Sequence, residues 1–566
     1  MKATGLRYQC YAFRSTPAGA GARKSWGVRG GTAVGRACAR ATLPVYLLQG
    51  HTSATPVRDL PLPPGPRGLP LVGYLPYIGI RHMTLSKLAE KYGKIFSVKL
   101  GDQLVIALSD HVDIRAVFNS DYVTGRPNTP LMDTIKGYGI VNSEGCLWKS
   151  QRRFIMENFR KLGMTHLGNG KQIMGQKIQV EILDLLENLK MTQAAPIDPN
   201  PRLAVAVSNV ICGITMSKRF TLDDLEFLRM NELIEEGMRL FGELHIGEYM
   251  PWVNKFPGKA RAQEKIRQNR EEMFKFYDKL IEEHKQTLNI DNPRDIIDNY
   301  LTEILKINKS DAVNDDNNNN NGDKNSDYKK NMFHDKDPML QLKQILGDLF
   351  SAGMETIKSS LLWMIIFMLR NPDIKKRVQE ELDSVVGRDR IPTIDDISYL
   401  IYTEATIQET LRMSSIVPLA TTHSPTIDYN HKQYKFPKGA QVVPLINHVH
   451  MDPNLWDRPE EFNPNRFINE SGKIQKPEYF MPFGVGRRMC AGDMLAKTEM
   501  TLFFSAIMHQ FDVQMEDGMA IPSLEGTVGA TIAPKPFRVR FIPRTQPLLP
   551  QEVAQEHSLL RNVGAH

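Results

Sequence analysis

No run of 18 or more apolar residues occurs in this chain, so the sequence predicts no membrane-spanning helix. The longest candidate, Leu361–Leu369, continues a helical pattern and reads as a buried core helix. Cysteine is scarce. Cys10, Cys38, Cys146, Cys212 and Cys490 are odd in number and form no CxxC pair. That argues against a disulfide framework or a zinc site, and fits a reducing compartment with one thiol left for chemistry. Acidic residues are absent from residues 1–58, which hold nine Lys/Arg. The rest of the chain is near neutral, at about −2, so the net charge of +7 is no general basic surface and nucleic acid is excluded as an expected partner. No internal repeat is visible. Apolar content of 41% over 566 residues is enough for a large core, in one large α-rich domain or several.

Residues 1–60 read as a basic N-terminal arm. Its Gly-, Ala- and Ser/Thr-rich composition resembles a mitochondrial transit peptide; a disordered arm or a wrongly predicted first exon are the alternatives. Five of the ten residues Pro61–Pro70 are proline, a stiff hinge or linker that cannot be helical. A folded domain is expected over 71–543. Within it, 84–100 reads as helix then strand, and 145–310 as mostly amphipathic helix. Residues 313–327, rich in Asn and Asp, read as a disordered surface loop between helices. Residues 340–415 are helical again, strands follow around 427–446, and a helix spans 493–510. Residues 544–566 read as a loose tail.

The stretch Phe483-Gly484-Val485-Gly486-Arg487-Arg488-Met489-Cys490-Ala491-Gly492 sets one cysteine in a loop of glycines and arginines. Glycines let backbone pass close to a flat ligand, and neighbouring arginines favour a thiolate, a fitting axial ligand for haem iron. The same residues would also make a surface turn with a free thiol. Upstream, Ala352-Gly353-Met354-Glu355-Thr356 places a glycine inside a long apolar helix, at a cost of roughly 1 kcal/mol relative to alanine. A gap there admits a flat ligand and a diatomic gas, with an acid and a hydroxyl as a proton relay; a tight helix crossing is the alternative. Glu409 and Arg412 lie at i, i+3 on one helix face, a spacing most often solvent-exposed. If Arg466 of Phe462-Asn463-Pro464-Asn465-Arg466-Phe467 reaches Glu409, the three make a buried bidentate network. Trp148 and Arg152 stand one helical turn apart and can face one anion, or simply open a solvated helix.

Taken in order, Trp-x-x-x-Arg, Ala-Gly-x-Glu-Thr, Glu-x-x-Arg, Phe-x-Pro-x-Arg-Phe and Phe-x-x-Gly-x-Arg-x-Cys-x-Gly resemble the cytochrome P450 family over about residues 61–541. The resemblance implies a mainly α fold with a smaller β lobe, one haem-binding domain, and a monooxygenase using haem b, O2 and electrons from NADPH through a reductase. Carried over by residue, Cys490 matches the axial thiolate. Trp148, Arg152 and Arg488 match holders of the haem propionates, and His423 occupies a similar position, or is a satisfied core histidine. Phe483 matches the aromatic that shields the sulfur; Gly492, Ala352 and Gly353 border the haem. Glu355 and Thr356 match the acid–alcohol pair that delivers protons, and Glu409, Arg412 and Arg466 the structural triad. The substrate pocket is expected from parts of 129–142, 240–250, 345–356, 417–421 and 526–532.

Further stretches, Ser208–Cys212, Ile234–Glu243, Ser415–Pro425 and Arg561–His566, resemble the insect ecdysteroid 26-hydroxylases of P450 family 18. That likeness implies a steroid substrate, ecdysone or 20-hydroxyecdysone, hydroxylated at its terminal side-chain carbon with loss of hormone activity. It also implies NADPH–cytochrome P450 reductase as partner and the cytosolic face of the endoplasmic reticulum membrane. Those members begin with an apolar anchor where this chain has its basic arm, so a mitochondrial hydroxylase fed by a ferredoxin stays open. A xenobiotic-metabolising enzyme, an O2-independent haem-thiolate isomerase and a non-catalytic haem- or hormone-binding protein are the other rivals.

Overall fold

A computed structural model describes residues 60–163, 169–242, 246–256, 261–316, 332–334 and 336–544. The expected basic arm (Leu60 apart) and the tail after residue 544 lie outside the described residues. The fold is mainly helical with a small β region. In chain order the first elements are α1 (Arg81–Tyr92), β1 (Ile95–Leu100), β2 (Gln103–Leu108), α2 (His111–Phe118) and α3 (Pro130–Ile135). The helical body follows: α4 (Gly145–Lys161), α5 (Asn169–Lys190), α6 (Asn200–Thr215), α7 (Leu225–Gly242), α8 (Ile246–Tyr249), α9 (Arg261–Thr287) and α10 (Ile296–Asp316). The C-terminal half holds α11 (Pro338–Arg370), α12 (Pro372–Val386), α13 (Ile401–Ser414), β3 (Tyr429–His431), β4 (Tyr434–Phe436), β5 (Gln441–Pro444) and α14 (Ile446–His450). After the cysteine loop come α15 (Asp493–Gln510), β6 (Phe511–Met515), β7 (Thr527–Val528), β8 (Ile532–Ala533) and β9 (Val539–Pro543).

α11 is the spine. The Asp337 side chain caps it by accepting from the Leu340 amide, Pro338 occupies its first turn, and Asn371-Pro372 stops it. Its 33 residues are long and apolar enough to cross a membrane, unlike the shorter run read from the sequence. Yet 78% of its most apolar window is buried inside the protein, which makes it the core helix expected at Leu361–Leu369. Each of Leu361, Ile365 and Ile366, all buried, contributes about 1.5–3 kcal/mol of apolar burial.

β1 and β2 pair antiparallel, and β2 runs parallel to β5, so the C-terminal half completes the N-terminal sheet. One face of that sheet packs with Leu75, Ile78, Tyr249 and Met250. The other packs with Phe118, Ile446 and Met481, which seats the start of the cysteine loop against sheet and α2. The proline-rich hinge is docked onto two sheets: the Ser97 amide of β1 donates to the Pro64 carbonyl at 2.7 Å, and the Lys435 amide of β4, in the β3–β4 hairpin, to the Pro61 carbonyl at 3.0 Å. α10 continues through Asp316, four residues into the stretch expected as an Asn-rich loop. The remainder of that loop lies outside the described residues.

Candidate active site

Between α11 and the loop 482–492 lies a cavity of about 310 Å³. Leu349, Ala352, Gly353, Thr356 and Ile357 of α11 form one wall, and Phe483, Gly484, Cys490 and Ala491 the opposite one. The cysteine loop takes its shape from two glycines with positive φ, Gly484 (70°) and Gly486 (82°). A Cβ on Gly486 would meet the Phe118 carbonyl oxygen at 2.1 Å, so a side chain there collides with the end of α2. The Arg487 amide donates to that same carbonyl, and the Cys490 amide to the Phe483 carbonyl at 3.0 Å. These bonds point the Cys490 sulfur into the cavity just ahead of α15, whose first residue follows Gly492.

The arginines act differently from the sequence expectation. Arg487 turns away to the Asn119 carbonyl and Asp121. Arg488 spends its donors on the carbonyls of Thr124, Val141 and Ser143. Burial therefore pushes the Cys490 thiol up, although the Gly492 amide, Arg152 and Lys497 pull it down. The surface Cys490 exposes is cavity wall deep in the molecule, so burial governs it. A coordinated metal would deprotonate such a thiol outright.

The rim of the cavity is cationic. Arg126, Arg152, Arg488, Trp148 and His423 all line it, with the Arg488 guanidinium 4.3 Å over the Trp148 ring. Arg126 donates to Val141 and Thr422 carbonyls at 2.7 and 2.8 Å, and Arg152 to the Met489 carbonyl at 2.7 Å. Burial, then the charges of Arg126 and Arg152, push Arg488 down to about 8; burial brings Arg126 to about 10. His423 is held well below the ordinary histidine range by burial, then by Arg126 and Arg488. Its Nδ1 meets the Thr421 carbonyl at 2.8 Å, while Nε2 is buried without a partner. Among the described lining residues the acid is Asp348, whose carboxylate accepts the Ile140 and Val141 amides at 2.8 and 3.0 Å and ties that loop to α11. A flat ligand with carboxylates at one edge and a thiol-seeking metal at its centre fits this donor set: a free sulfur on one face, three guanidiniums and an orphaned ring nitrogen at the rim.

Several expected residues meet elsewhere. Thr356 lines the cavity and donates to the Ala352 carbonyl at 2.7 Å. Glu355, its neighbour, faces the other side of α11, where its carboxylate pairs with Lys358 at 2.7 Å and accepts from Ser359 at 3.0 Å. A Cβ on Gly353 would stand 3.0 Å from Ile211 of α6, so the glycine serves a close helix crossing as well as the cavity. Glu409, Arg412 and Arg466 do come together. Arg412 forks onto Glu409 at 2.7 and 2.8 Å, and Arg466 Nε reaches Glu409 at 3.2 Å. The expected pocket segment 526–532 borders a second cavity instead, and side chains of 241–246 lie outside the described residues. Arg126, Asp348 and Lys358 escaped the sequence reading. Asp348 and Lys358 left a signal, charges inside an apolar helix; Arg126 left only a Gly-Arg-Pro loop.

A cavity set between a long core helix and a cysteine loop defines a haem-thiolate class of protein, and the chain belongs to the cytochrome P450 family, whose model matches residues 63–541. It is a monooxygenase of that family, which works with haem iron, O2 and electrons from a redox partner. Over 506 residues it is 51% identical to Cytochrome P450 18a1 of Drosophila melanogaster, covering 89% of this chain and 90% of the relative. It is 34% identical to Cytochrome P450 2U1 of Rattus norvegicus, over 84% of this chain and 90% of the relative. With Cytochrome P450 2C21 of Canis lupus familiaris it also shares 34%, over 85% of this chain and 95% of the relative.

Proposed function

We propose that this monooxygenase hydroxylates ecdysteroids at the terminal side-chain carbon, the 26-hydroxylation of ecdysone and 20-hydroxyecdysone that inactivates the hormone. The observation that carries the reading is the 51% identity with Cytochrome P450 18a1 over nine-tenths of both chains, joined to the family-18-like segments of the sequence. The main cavity agrees with it: its walls are largely apolar, with Thr356, Ser360, Thr421 and Asp348 spaced among them. A polyhydroxylated steroid needs both kinds of surface.

Bound in that cavity, haem supplies the activation of O2 and the insertion of one oxygen atom into a C–H bond. The chain's own residues hold and orient. Cys490 would hold the iron through its sulfur, with Phe483 and the Gly492 amide beside it. Arg126, Arg152, Arg488, Trp148 and His423 would take the two carboxylates, whose negative charge would oppose the lowering of the arginines by burial. Ala352 and Gly353, with little or no side chain, leave room on the α11 side of the cavity. Thr356 holds a proton at Oγ1 on the cavity side of α11, while Glu355, the acid beside it in sequence, is turned to Lys358 on the other side of the helix. Asp348 ties residues 140 and 141 to α11 and so closes that part of the wall. Glu409, Arg412 and Arg466 serve folding and haem retention.

Electrons come from NADPH–cytochrome P450 reductase at the endoplasmic reticulum surface. Exposed apolar side chains support the membrane part of this reading: Leu71, Tyr77, Ile80, Trp252 and Phe256 lie on two segments whose buried neighbours share one hydrophobic cluster. The acid-free basic stretch 1–58 favours a second reading, a mitochondrial enzyme fed by a ferredoxin. Fractionation of the tagged full chain separates the two. The substrate is tested by incubating the protein with reductase, NADPH and 20-hydroxyecdysone and reading products by mass spectrometry. One added oxygen on the terminal side-chain carbon is expected. Turnover of unrelated xenobiotics with 20-hydroxyecdysone untouched would overturn the steroid assignment.

A further inference from the structure

Gln341, Gln344 and Asp348 stand at i, i+3 and i+7 on one face of α11, and all three are buried. A polar stripe inside so apolar a helix costs free energy unless its groups are bonded. Its bonds run to the loop 139–141 and to Arg270 of α9, which donates to Gln344 Oε1 at 2.7 Å. Gln341 grips one residue twice: its Oε1 accepts the Gly139 amide at 3.1 Å, and its Nε2 donates to the Gly139 carbonyl at 3.0 Å. Asp348 takes the next two amides on one carboxylate oxygen, and its other oxygen accepts from Gln344 at 3.0 Å. Gly139 has a φ of 82°, and a Cβ there would stand 2.2 Å from the Asp348 carboxylate, so only glycine lets the loop lie this close. The Ser143 hydroxyl donates back to the Gly139 carbonyl at 2.6 Å and closes the loop into a compact turn. Its other side faces the cationic rim. The Val141 carbonyl accepts from Arg126 at 2.7 Å and from Arg488 at 3.3 Å, and the Ser143 carbonyl accepts from Arg488. One short loop is thus fixed to α11 by its amides and fixes two guanidiniums by its carbonyls. A loop needs only apolar contact to lie on a helix; a side-chain amide bonded at both ends to one residue also sets how the peptide groups there point.

We propose that Gln341 is a positioning residue for the cofactor: by clasping Gly139 it sets the direction of the loop carbonyls that hold Arg126 and Arg488, and so aims both guanidiniums at the haem carboxylates. This rests on the proposed reading of those two arginines as holders of the carboxylates. With the clasp open, the Gly139 amide and carbonyl lose their shared partner, and the loop no longer offers the arginines fixed acceptors. Haem should then leave faster, although no residue that lines its cavity has been changed.

The test follows transfer of haem from the loaded full chain to apomyoglobin in excess. Gln341→Leu and Gly139→Ala open the clasp from its two sides, and each should release haem about tenfold faster than the parent. Gln379→Leu is the benchmark. It is the same substitution at a buried glutamine of α12, whose amide donates to the Met508 and Phe511 carbonyls, and its release should stay within about twofold of the parent. In an Arg126→Leu/Arg488→Leu background, itself fast to release haem, Gln341→Leu should add less than about twofold, because the groups it acts through are gone. A second measurement needs no haem: amide hydrogen exchange at residues 139–141 should quicken in Gln341→Leu and not in Gln379→Leu. If the double arginine variant releases haem no faster than the parent, the carboxylate-holding reading falls and this proposal with it. If that variant is fast while Gln341→Leu is not, the reading stands and the positioning role is wrong. A full tenfold effect of Gln341→Leu in the double arginine background, or an equal effect of Gln379→Leu, would mean that the substitution merely loosens the fold, and overturns the role as well. So would unchanged exchange at 139–141. Should Gln341→Leu fail to fold, Gly139→Ala carries the same comparison in both backgrounds.

Discussion

Arg412 and Arg488 are both buried guanidiniums, but their surroundings differ in kind. Arg412 forks onto the Glu409 carboxylate, donates to the His450 and Pro459 carbonyls, and lies over the Trp456 ring. Its donors and its charge are both met inside the protein. Arg488 is met by carbonyl dipoles and the Trp148 ring, with no hydrogen-bonded carboxylate among its described partners; Glu144 lies near but Arg126 and Arg152 do too, and it is pushed down to about 8. A buried cation with its own carboxylate belongs to the fold. One that is desolvated among like charges belongs to an anion that the fold alone does not provide.

Breaking the satisfied network should have the largest effect. Glu409→Ala leaves Arg412 buried without its anion and takes away the acceptor of Arg466 and of the Asn463 amide. A loss of about 3–5 kcal/mol is expected, read as failure to recover folded protein or a collapse of the melting temperature. Wild-type stability in this variant would mean that the network is not what locks α13 to the loop at 463–466.

The next effect lies in pH. His450 is buried behind that network, its Nε2 accepting the Met481 amide at 3.1 Å and its Nδ1 2.9 Å from Ser415 Oγ. Burial, then Arg412, lowers it from 6.5 to about 3. The unfolded chain therefore binds a proton below pH 6.5 that the folded chain refuses until about 3, so stability is full above 6.5 and falls as pH drops through that window. This one group accounts for about 2 kcal/mol between pH 7 and 5. Denaturant titrations of His450→Gln should show lower stability at pH 7 but a slope shallower by about one proton; an undiminished slope would assign the pH dependence elsewhere.

Thinning the unsatisfied cluster should behave in the opposite sense from Glu409→Ala. Arg152→Leu removes one like charge and one hydrogen bond, to the Met489 carbonyl. Haem retention should fall about tenfold, while the melting temperature of the haem-free protein changes little or rises. Equal losses in both would erase the contrast between the two arginine groups. The smallest effect belongs to exposed pairs. Arg267 bonds Glu264 and Glu271 on the solvent face of α9, and Arg267→Ala should leave both melting temperature and haem content unchanged.

How much of this was legible depended on how far apart in the chain the partners lie. The Glu409–Arg412 fork follows from i, i+3 spacing on one helix, and the cysteine loop from its glycines, so both could be read from short stretches. The close approach of Gly353 to Ile211 was legible as an alternative only, since a glycine in a helix does not say which neighbour it admits. Arg126 was missed because its partners, Val141 and Thr422, come from two remote segments. The hairpin at 527–533 was expected at the main cavity and borders the second one, because the side of α11 it covers is set by packing.

By itself the sequence determined the family, the mainly helical class with its small β lobe, and the Glu409–Arg412 fork. The motifs and that fork are residue types at short, fixed spacings, which local geometry converts directly into contacts; Arg466 reaches Glu409 from 57 positions further along the chain, a contact made by packing. Only the tertiary structure decided which way each side chain of α11 faces. Adjacent residues on a helix point about 100° apart, which lets Thr356 and Ile357 both face the main cavity while Glu355 turns to Lys358, and long-range packing chose which side of the helix meets which.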